Sequence, residues 1–398
     1  AALSAELEQA LAADQLALAT LPLTATLLLD AGPGLVGLLV ALQGAAWLTI
    51  SLPAGAWIDR LPRRNLLIAA LALGLCASMV AVLAAAMGAA ALLGLAAFVG
   101  ASGTVVYVLT SVSLLPGLVK AADLPRSNAR LELARAMMGL LAPFIAGLLA
   151  QRLSPTWGYG LAALGAGLAL LCVFALPKAP APAQPAVRPR FVDSIKTGAR
   201  FVLKHDLLRG IGLCAIFWNF AFFALLAIWA PLALTVLKLD PATLGLAQSA
   251  LGAGQITGAL IAPYTSRAFA PLVTLIFGPA ISVVGVALFL VAPQFDRFAG
   301  PAVGFFLIGF GPMLWLICQT TVRQLVTPAH LMGRVNATMQ TAMYGMRPLG
   351  ALAGGLVASF AGLEAALILV SVSFALSALS ILLSPLARLR AFPTALAA

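Results

Sequence analysis

Long apolar runs separated by short turns constrain this chain more than any other feature. On the sequence they cover 6–29, 35–57, 65–87, 91–118, 127–151, 157–176, 208–237, 243–264, 270–292, 301–323, 336–361 and 363–384. About 20 mostly apolar residues cross the hydrocarbon core of a bilayer as a helix, and no water is present there to satisfy an exposed backbone. Composition agrees with that reading: 62% of the 398 residues are hydrophobic and 9% are charged, whereas soluble domains carry about 25% charged residues. The expectation is an all-α integral membrane protein with twelve transmembrane helices. The net charge of +11 does not call for a nucleic-acid partner, because the basic residues stand in short loops, where they set membrane orientation.

Of the 23 Lys and Arg residues, eighteen fall on the side that would hold both termini and three, Arg152, Lys238 and Arg297, on the other. Basic loops stay in the cytoplasm, so both termini are expected inside. Residues 177–190 are Pro-rich and cannot form a helix. After them Phe191, Ile195, Phe201 and Val202 alternate with Asp193, Lys196, Arg200 and Lys204. That pattern predicts a short amphipathic helix, either lying on the inner membrane surface or serving as a solvated linker. Three regions follow: a six-helix bundle over 1–176, a cytoplasmic linker and helix over 177–207, and a second six-helix bundle over 208–398. The bundles echo each other. Gly258 to Arg267 repeats Gly55 to Arg64 at an offset of 203 with Ala262 in place of the acid, and Asn128-Ala before Pro143 and Gly147 returns as Asn336-Ala before Pro348 and Gly350. Duplicated halves of this kind rock about a midplane site in secondary transporters. No cleavable leader is expected from the first apolar run.

Between the second and third spans lies Gly55-Ala-Trp-Ile-Asp59-Arg60-Leu-Pro-Arg63-Arg64. Gly55 stands one turn before Asp59, so a neighbouring helix can approach where a carboxylate is offered to cap it. The plainer alternative is a positive-inside anchor. The Gly-x-x-x-Asp-Arg-x-x-Arg-Arg spacing resembles the signature loop of the major facilitator superfamily, with Pro62 where that family commonly has a small residue. The resemblance implies two pseudo-symmetric six-helix bundles with Gly55, Asp59, Arg60, Arg63 and Arg64 as a cytoplasmic gate between them.

Asp14-Gln-Leu-Ala, Leu21-Pro-Leu, Ser51-Leu-Pro-Ala-Gly, Asn128-Ala-Arg-Leu-Glu-Leu-Ala-Arg and Gly333-Arg-Val-Asn-Ala-Thr together resemble the bacterial enterobactin and macrolide exporter subgroup. Gly139, Pro143 and Gly147 resemble the Gly-Pro-x-x-Gly-Gly element of proton antiporters, with two of its glycines replaced by alanine. These likenesses imply a monomeric secondary active transporter of a bacterial inner membrane. They imply proton-coupled efflux of a bulky amphipathic small molecule such as a siderophore, macrolide or other drug. An importer or uncoupled facilitator of the same fold, or a non-transporting scaffold or sensor, are the alternatives.

Few ionisable groups fall inside the spans. Each costs on the order of 2.5–3.5 kcal/mol at bilayer depth and calls for a partner or a function. Asp14 is either a proton carrier or a hydrogen-bonded structural acid. Arg347, just before Pro348, binds an acid, an anionic substrate or carbonyls that the proline frees. Glu132 and Arg135, three residues apart, pair with each other or take part in coupling. Gln43, Trp47, Tyr107, Trp218, Asn219, Gln255, Trp315, Gln319, Gln340 and Tyr344 are candidates to line a cavity. Cys76, Cys172, Cys214 and Cys318 fall inside apolar runs without metal spacing and read as packing residues. No P-loop, nucleophile set or metal cluster is legible, so neither an enzyme nor a cofactor is expected.

Overall fold

The computed structural model describes residues 2–58, 60–118, 124–174, 191–328 and 331–393, with the side chains of 2–11, 52, 56, 112, 114–118, 124–135 and 191–195 outside that description. Asp59 and the Pro-rich connector 177–190 lie outside the described residues.

Every regular element among the described residues is helical, as chains of Ala, Leu, Val and Gly in lipid require. Six helices precede the connector: α1 (Ala2–Leu28), α2 (Pro33–Ile58), α3 (Arg63–Met87), α4 (Ala90–Leu118), α5 (Leu124–Arg152) and α6 (Thr156–Phe174). After it come α7 (Phe191–Lys204), α8 (Asp206–Pro231), α9 (Pro241–Ala268), α10 (Pro271–Val291), α11 (Ala299–Val326) and α12 (Met332–Leu382). A π-helical turn, Leu232–Val236, extends α8 beyond Pro231. Eight described helices have the length and apolarity of a membrane crossing, and Ala12–Leu28 and Ala136–Arg152 add shorter apolar stretches.

The expected spans 336–361 and 363–384 emerge as the single element α12, broken at Gly362 (φ 90, ψ 166). A straight helix of its 51 residues would run about 76 Å, more than twice the hydrocarbon thickness of about 30 Å. The chain therefore has to turn, and glycine alone adopts that backbone without strain.

Within the first half, α1 packs on α5 and α6, α2 on α4, and α3 on α4 and α6; within the second, α8 packs on α12, α11 on α9 and α10, and α10 on α12. The halves meet chiefly through two helix pairs, α2 with α12 and α5 with α9, with α1 and α2 also touching α8. In each pair the second crossing of one half meets the fifth crossing of the other, the pattern a duplicated bundle produces about a two-fold axis. Small residues make both seams close. A Cβ on Gly37 would meet the Ala351 carbonyl oxygen at 2.7 Å and the Gly355 Cα at 2.8 Å, while one on Gly147 would strike the Pro241 carbonyl.

The second half is centred on three buried rings in edge-to-face contact. Trp229 lies 5.6 Å from Phe289 and 5.0 Å from Phe305, and Phe289 lies 5.0 Å from Phe305. The amphipathic helix α7 docks on this half: Gly198 abuts the Arg334 carbonyl and the Thr338 hydroxyl, and Val202 is buried with Leu208, Val335 and Met339. Lys196, Arg200 and Lys204 on α7 stay exposed.

Candidate functional site

A cavity of about 500 Å³ lies between the halves. Gln15 and Pro22 of α1, Gln43 and Trp47 of α2, and Gly139 and Pro143 of α5 line it from one side. Trp218, Asn219 and Phe223 of α8, Gln248 and Gln255 of α9, Trp315 of α11, and Tyr344 and Arg347 of α12 line it from the other. Four of the six tryptophans, Trp47, Trp218, Trp229 and Trp315, border it. The other two, Trp57 and Trp157, are exposed near helix ends, where amphipathic rings sit at the lipid headgroups.

Of the ten candidates, Gln43, Trp47, Trp218, Asn219, Gln255, Trp315 and Tyr344 line this cavity, and three do not. Gln319 is buried, and its amide donates to the Leu316 carbonyl (3.2 Å) and the Thr320 hydroxyl (2.9 Å), so it packs against its own helix instead of lining the cavity. Tyr107 borders a different chamber, and Gln340 is exposed. Gln15 also lines the cavity, and Gln248, Phe222, Phe223 and Trp229 do so without having been expected there. A signal existed for two of them: Gln248 is two turns before Gln255, and Phe222 one turn after Trp218, on the same helix faces.

Arg347 stands in a cage of rings drawn from both halves. Its guanidinium carbon lies 4.2 Å from the Tyr344 ring centre, 5.0 Å from Phe223 and 5.7 Å from Trp47. Each such contact contributes about 0.5–2 kcal/mol, more where water is excluded. The Trp47 and Tyr344 rings themselves lie 4.8 Å apart, closing the cage across the α2–α12 seam.

Asp14 belongs to a second, smaller space of about 70 Å³ enclosed by α1, α2, α3, α4 and α6. The Thr104 hydroxyl donates to Asp14 Oδ1 at 2.7 Å, and Gln15 Nε2 donates to Oδ2 at 3.2 Å. Gln43, Ser78, Tyr107 and Tyr159 share the chamber, and much of the remaining wall is alanine and glycine. The side chains of Glu132 and Arg135 lie outside the described residues; both positions are on α5.

The seams tighten away from the arginine hairpin. Along α2 and its partner, a Cβ on Gly34 would meet Ser359 Oγ at 2.6 Å, one on Gly44 would meet the Pro348 nitrogen at 3.4 Å, and one on Gly55 would meet nothing within 4 Å. The α5–α9 seam is just as close at Gly147 against Pro241 and at Gly245 against the Pro143 carbonyl. Gly147 and Pro143 of the antiporter-like element are therefore seam residues, and Gly139 and Pro143 also touch the cavity. At this closed end Asp240 caps α9: the Thr243 N–H (2.9 Å) and hydroxyl (2.7 Å) donate to its carboxylate and hold it below the usual range.

At the hairpin end Arg60 is exposed and Arg63 half-buried. Arg64 donates from Nε to the Val173 carbonyl (3.3 Å) and from its terminal nitrogen to the Phe174 carbonyl (2.9 Å), with its guanidinium over the Phe174 ring. It thus satisfies the last carbonyls of α6 and complements that helix's dipole. Among the described residues, none comes within 4 Å of a Cβ placed on Gly55.

Two pseudo-symmetric helical halves around a cavity that one end seals define a membrane carrier. The chain belongs to the Major Facilitator Superfamily, whose sequence profile matches residues 10–351, and it is a transporter rather than an enzyme. It is 29% identical over 307 residues to the Enterobactin exporter EntS of Salmonella choleraesuis (strain SC-B67), covering 76% of this chain and 72% of that one. The Shigella boydii serotype 4 (strain Sb227) counterpart is 28% identical over 308 residues, covering 76% and 71%. Among solved structures, the nucleoside transporter NupG superposes with a TM-score of 0.75 at 15% identity, covering 96% of this chain and 98% of that one. The D-xylose-proton symporter gives 0.71 at 16% identity, covering 94% and 96%.

Proposed function

We propose that this transporter exports a bulky amphipathic small molecule, of siderophore or macrolide kind, across a bacterial inner membrane in exchange for protons. It works as a monomer by alternating access. The observation that carries this reading is the cavity of about 500 Å³ walled by both halves, with the seams closed at one end and no described residue within 4 Å of a Cβ on Gly55 at the other. The likeness to the enterobactin exporters favours outward transport.

In this reading the basic hairpin end is cytoplasmic, as the Lys and Arg distribution requires, and the conformation is the one that loads cargo from inside. Four tryptophans and several amides offer stacking and hydrogen bonding to a large aromatic or polyhydroxylated molecule, and Arg347 holds an acidic group on it. Asp14 carries the proton, and Glu132 and Arg135 assist the exchange. When the halves rock, Gly55, Asp59, Arg60, Arg63 and Arg64 close the cytoplasmic end against the second half. The twelve-crossing count with both termini inside belongs to the same reading.

The test is transport in proteoliposomes under an imposed pH gradient, with a siderophore and a macrolide side by side. The expected result is uphill movement of one of them, driven by the gradient and lost in Asp59→Ala. No movement of either, or movement indifferent to the gradient, would overturn the export reading or its proton coupling respectively.

A further inference from the structure

The echo of the basic hairpin in the second half walls a pocket that the transport reading leaves unused. Where the first half has Asp59 and Arg63, the echo Gly258 to Arg267 has Ala262 and Ser266. Both line a space of about 190 Å³ together with Thr265, Thr274, Cys318 and Thr321. Its walls come from the end of α9, the start of α10, the later turns of α11, and Phe392 in the segment after α12. We infer that this pocket binds the headgroup of an acidic phospholipid, a phosphate ester of a small polyol, at the membrane surface of the hairpin end. The inference is independent of cargo and of proton coupling.

The polar groups of the pocket divide into acceptors and one free donor, as such a headgroup requires. The hydroxyls of Thr265, Ser266 and Thr321 donate to the carbonyls of Ala262, Pro263 and Ile317, each at 3.1 Å, which leaves their oxygens to accept. The Cys318 thiol is turned in the same way to the Pro271 carbonyl (3.8 Å). Thr274 differs. It is only 8% exposed, lines the pocket, and makes no side-chain hydrogen bond among the described residues. A buried hydroxyl without a partner is costly. A phosphate oxygen supplies the acceptor that Thr274 lacks, and the polyol hydroxyls donate to the three oxygens around it.

Charge around the pocket points the same way. Pro271 opens α10, whose cap residue Ala270 makes no side-chain hydrogen bond and whose first turn holds no acid; that end of the helix dipole is positive and favours an anion. Arg267, next to Ser266, and Arg390, two residues before Phe392, are exposed and hold no side-chain partner among the described residues. Arg64, which matches Arg267 in the first half, is instead occupied by the α6 carbonyls. Ala262 also removes the acid that would repel a phosphate. The segment that brings Phe392 to the pocket is fixed, with Leu386 fully buried and the Leu272 N–H donating to the Leu389 carbonyl at 3.0 Å. Phe269 of the wall and Val273 and Phe277 of α10 are exposed, an apolar surface for acyl chains. The space is smaller than the roughly 300–1,000 Å³ of a pocket for a drug-sized molecule, so it suits a headgroup and not the cargo.

Native mass spectrometry of the delipidated full chain in detergent, titrated with phosphatidylglycerol or phosphatidylethanolamine of matched acyl chains, tests the site. The tightest binding event should favour phosphatidylglycerol at least about tenfold. Thr274→Val keeps the shape, removes the hydroxyl, and should weaken that event at least about fivefold. Ala262→Asp returns the acid of the first hairpin and should weaken it at least about tenfold. Arg267→Gln should weaken it about threefold, and because its position is exposed it reads the site even if a buried substitution lowers the thermal midpoint. Binding of phosphatidylethanolamine should stay the same in all three. Free glycerol 1-phosphate should compete only at concentrations at least about a hundredfold higher than the lipid, since it lacks the acyl chains. Competition at equal concentration would overturn the lipid as the source of the headgroup. No preference between the two lipids, or a preference unaltered in Thr274→Val and Arg267→Gln, would overturn the site.

Discussion

The two halves share a topology and differ in what fills them. In the first, α1, α2, α3, α4 and α6 leave a chamber walled largely by alanine and glycine around one carboxylate, Asp14. In the second, the interior is occupied by the Trp229, Phe289 and Phe305 rings, and the charge near the cavity is the cation Arg347 in its aromatic cage. Asp206, Asp240, Asp296 and Glu364 of the second half are all exposed at helix ends or in loops. Duplication supplied the same frame twice. One copy keeps open space lined by small residues, and the other fills its interior with aromatic rings.

The largest effects are expected where the halves are alike. Gly37→Leu and Gly147→Leu each drive a side chain into opposing backbone across a seam. About 1–3 kcal/mol of overpacking in the sealed state is roughly a ten- to hundredfold loss of flux. Flux into proteoliposomes at equal reconstituted protein measures it, and loss in one variant alone would break the equivalence of the seams. Next comes the difference in packing. Phe305→Ala should cost about 3–5 kcal/mol, seen as a lower thermal midpoint in detergent, whereas Ala97→Val, which extends into the chamber, should cost less than about 1 kcal/mol. Equal losses would mean the chamber is not open space.

The division of charge predicts a smaller, qualitative contrast. Arg347→Lys keeps the charge and loses planar stacking, lowering cargo affinity about two- to thirtyfold with its pH dependence intact. Asp14→Asn should flatten the pH dependence instead. The smallest effect lies at the sealed end. Asp240→Ala removes the α9 cap and should cost about 1 kcal/mol at neutral pH. Because the hydrogen-bonded carboxyl is held below its ordinary range, this stability is present above the unfolded-state value of about 3.9 and is lost as pH falls through the folded value. The gap between variant and parent should therefore close in strong acid.

How much was legible beforehand varied with the physics of each segment. The apolar runs announced the helices because lipid permits little else, and α7 was readable because its polar and apolar faces alternate at helical period. Two halves were visible in the repeated Gly…Arg and Asn-Ala…Pro segments. The facing of individual side chains was not. Helices surrounded by lipid and other helices are apolar on all sides, so nothing in the local pattern shows that Gln319 turns to its own backbone or that Tyr107 looks into a different chamber from Tyr344. Arg64 reaching the end of α6 is a contact across more than 100 positions, set by tertiary packing alone. The junction at Gly362 was located to the residue, yet that one glycine replaces the connecting loop that two separate spans would have had.

The central claim is that the halves rock about the cavity, and paired distances between spin labels test it most directly. In a cysteine-free background in nanodiscs, one pair at Arg60→Cys and Arg267→Cys reports the hairpin end. A second pair at Arg152→Cys and Arg297→Cys reports the sealed end. The account predicts reciprocal change on adding cargo or shifting pH, the first distance shortening as the second lengthens. Two distances that stay fixed, or that change in the same direction, would contradict it.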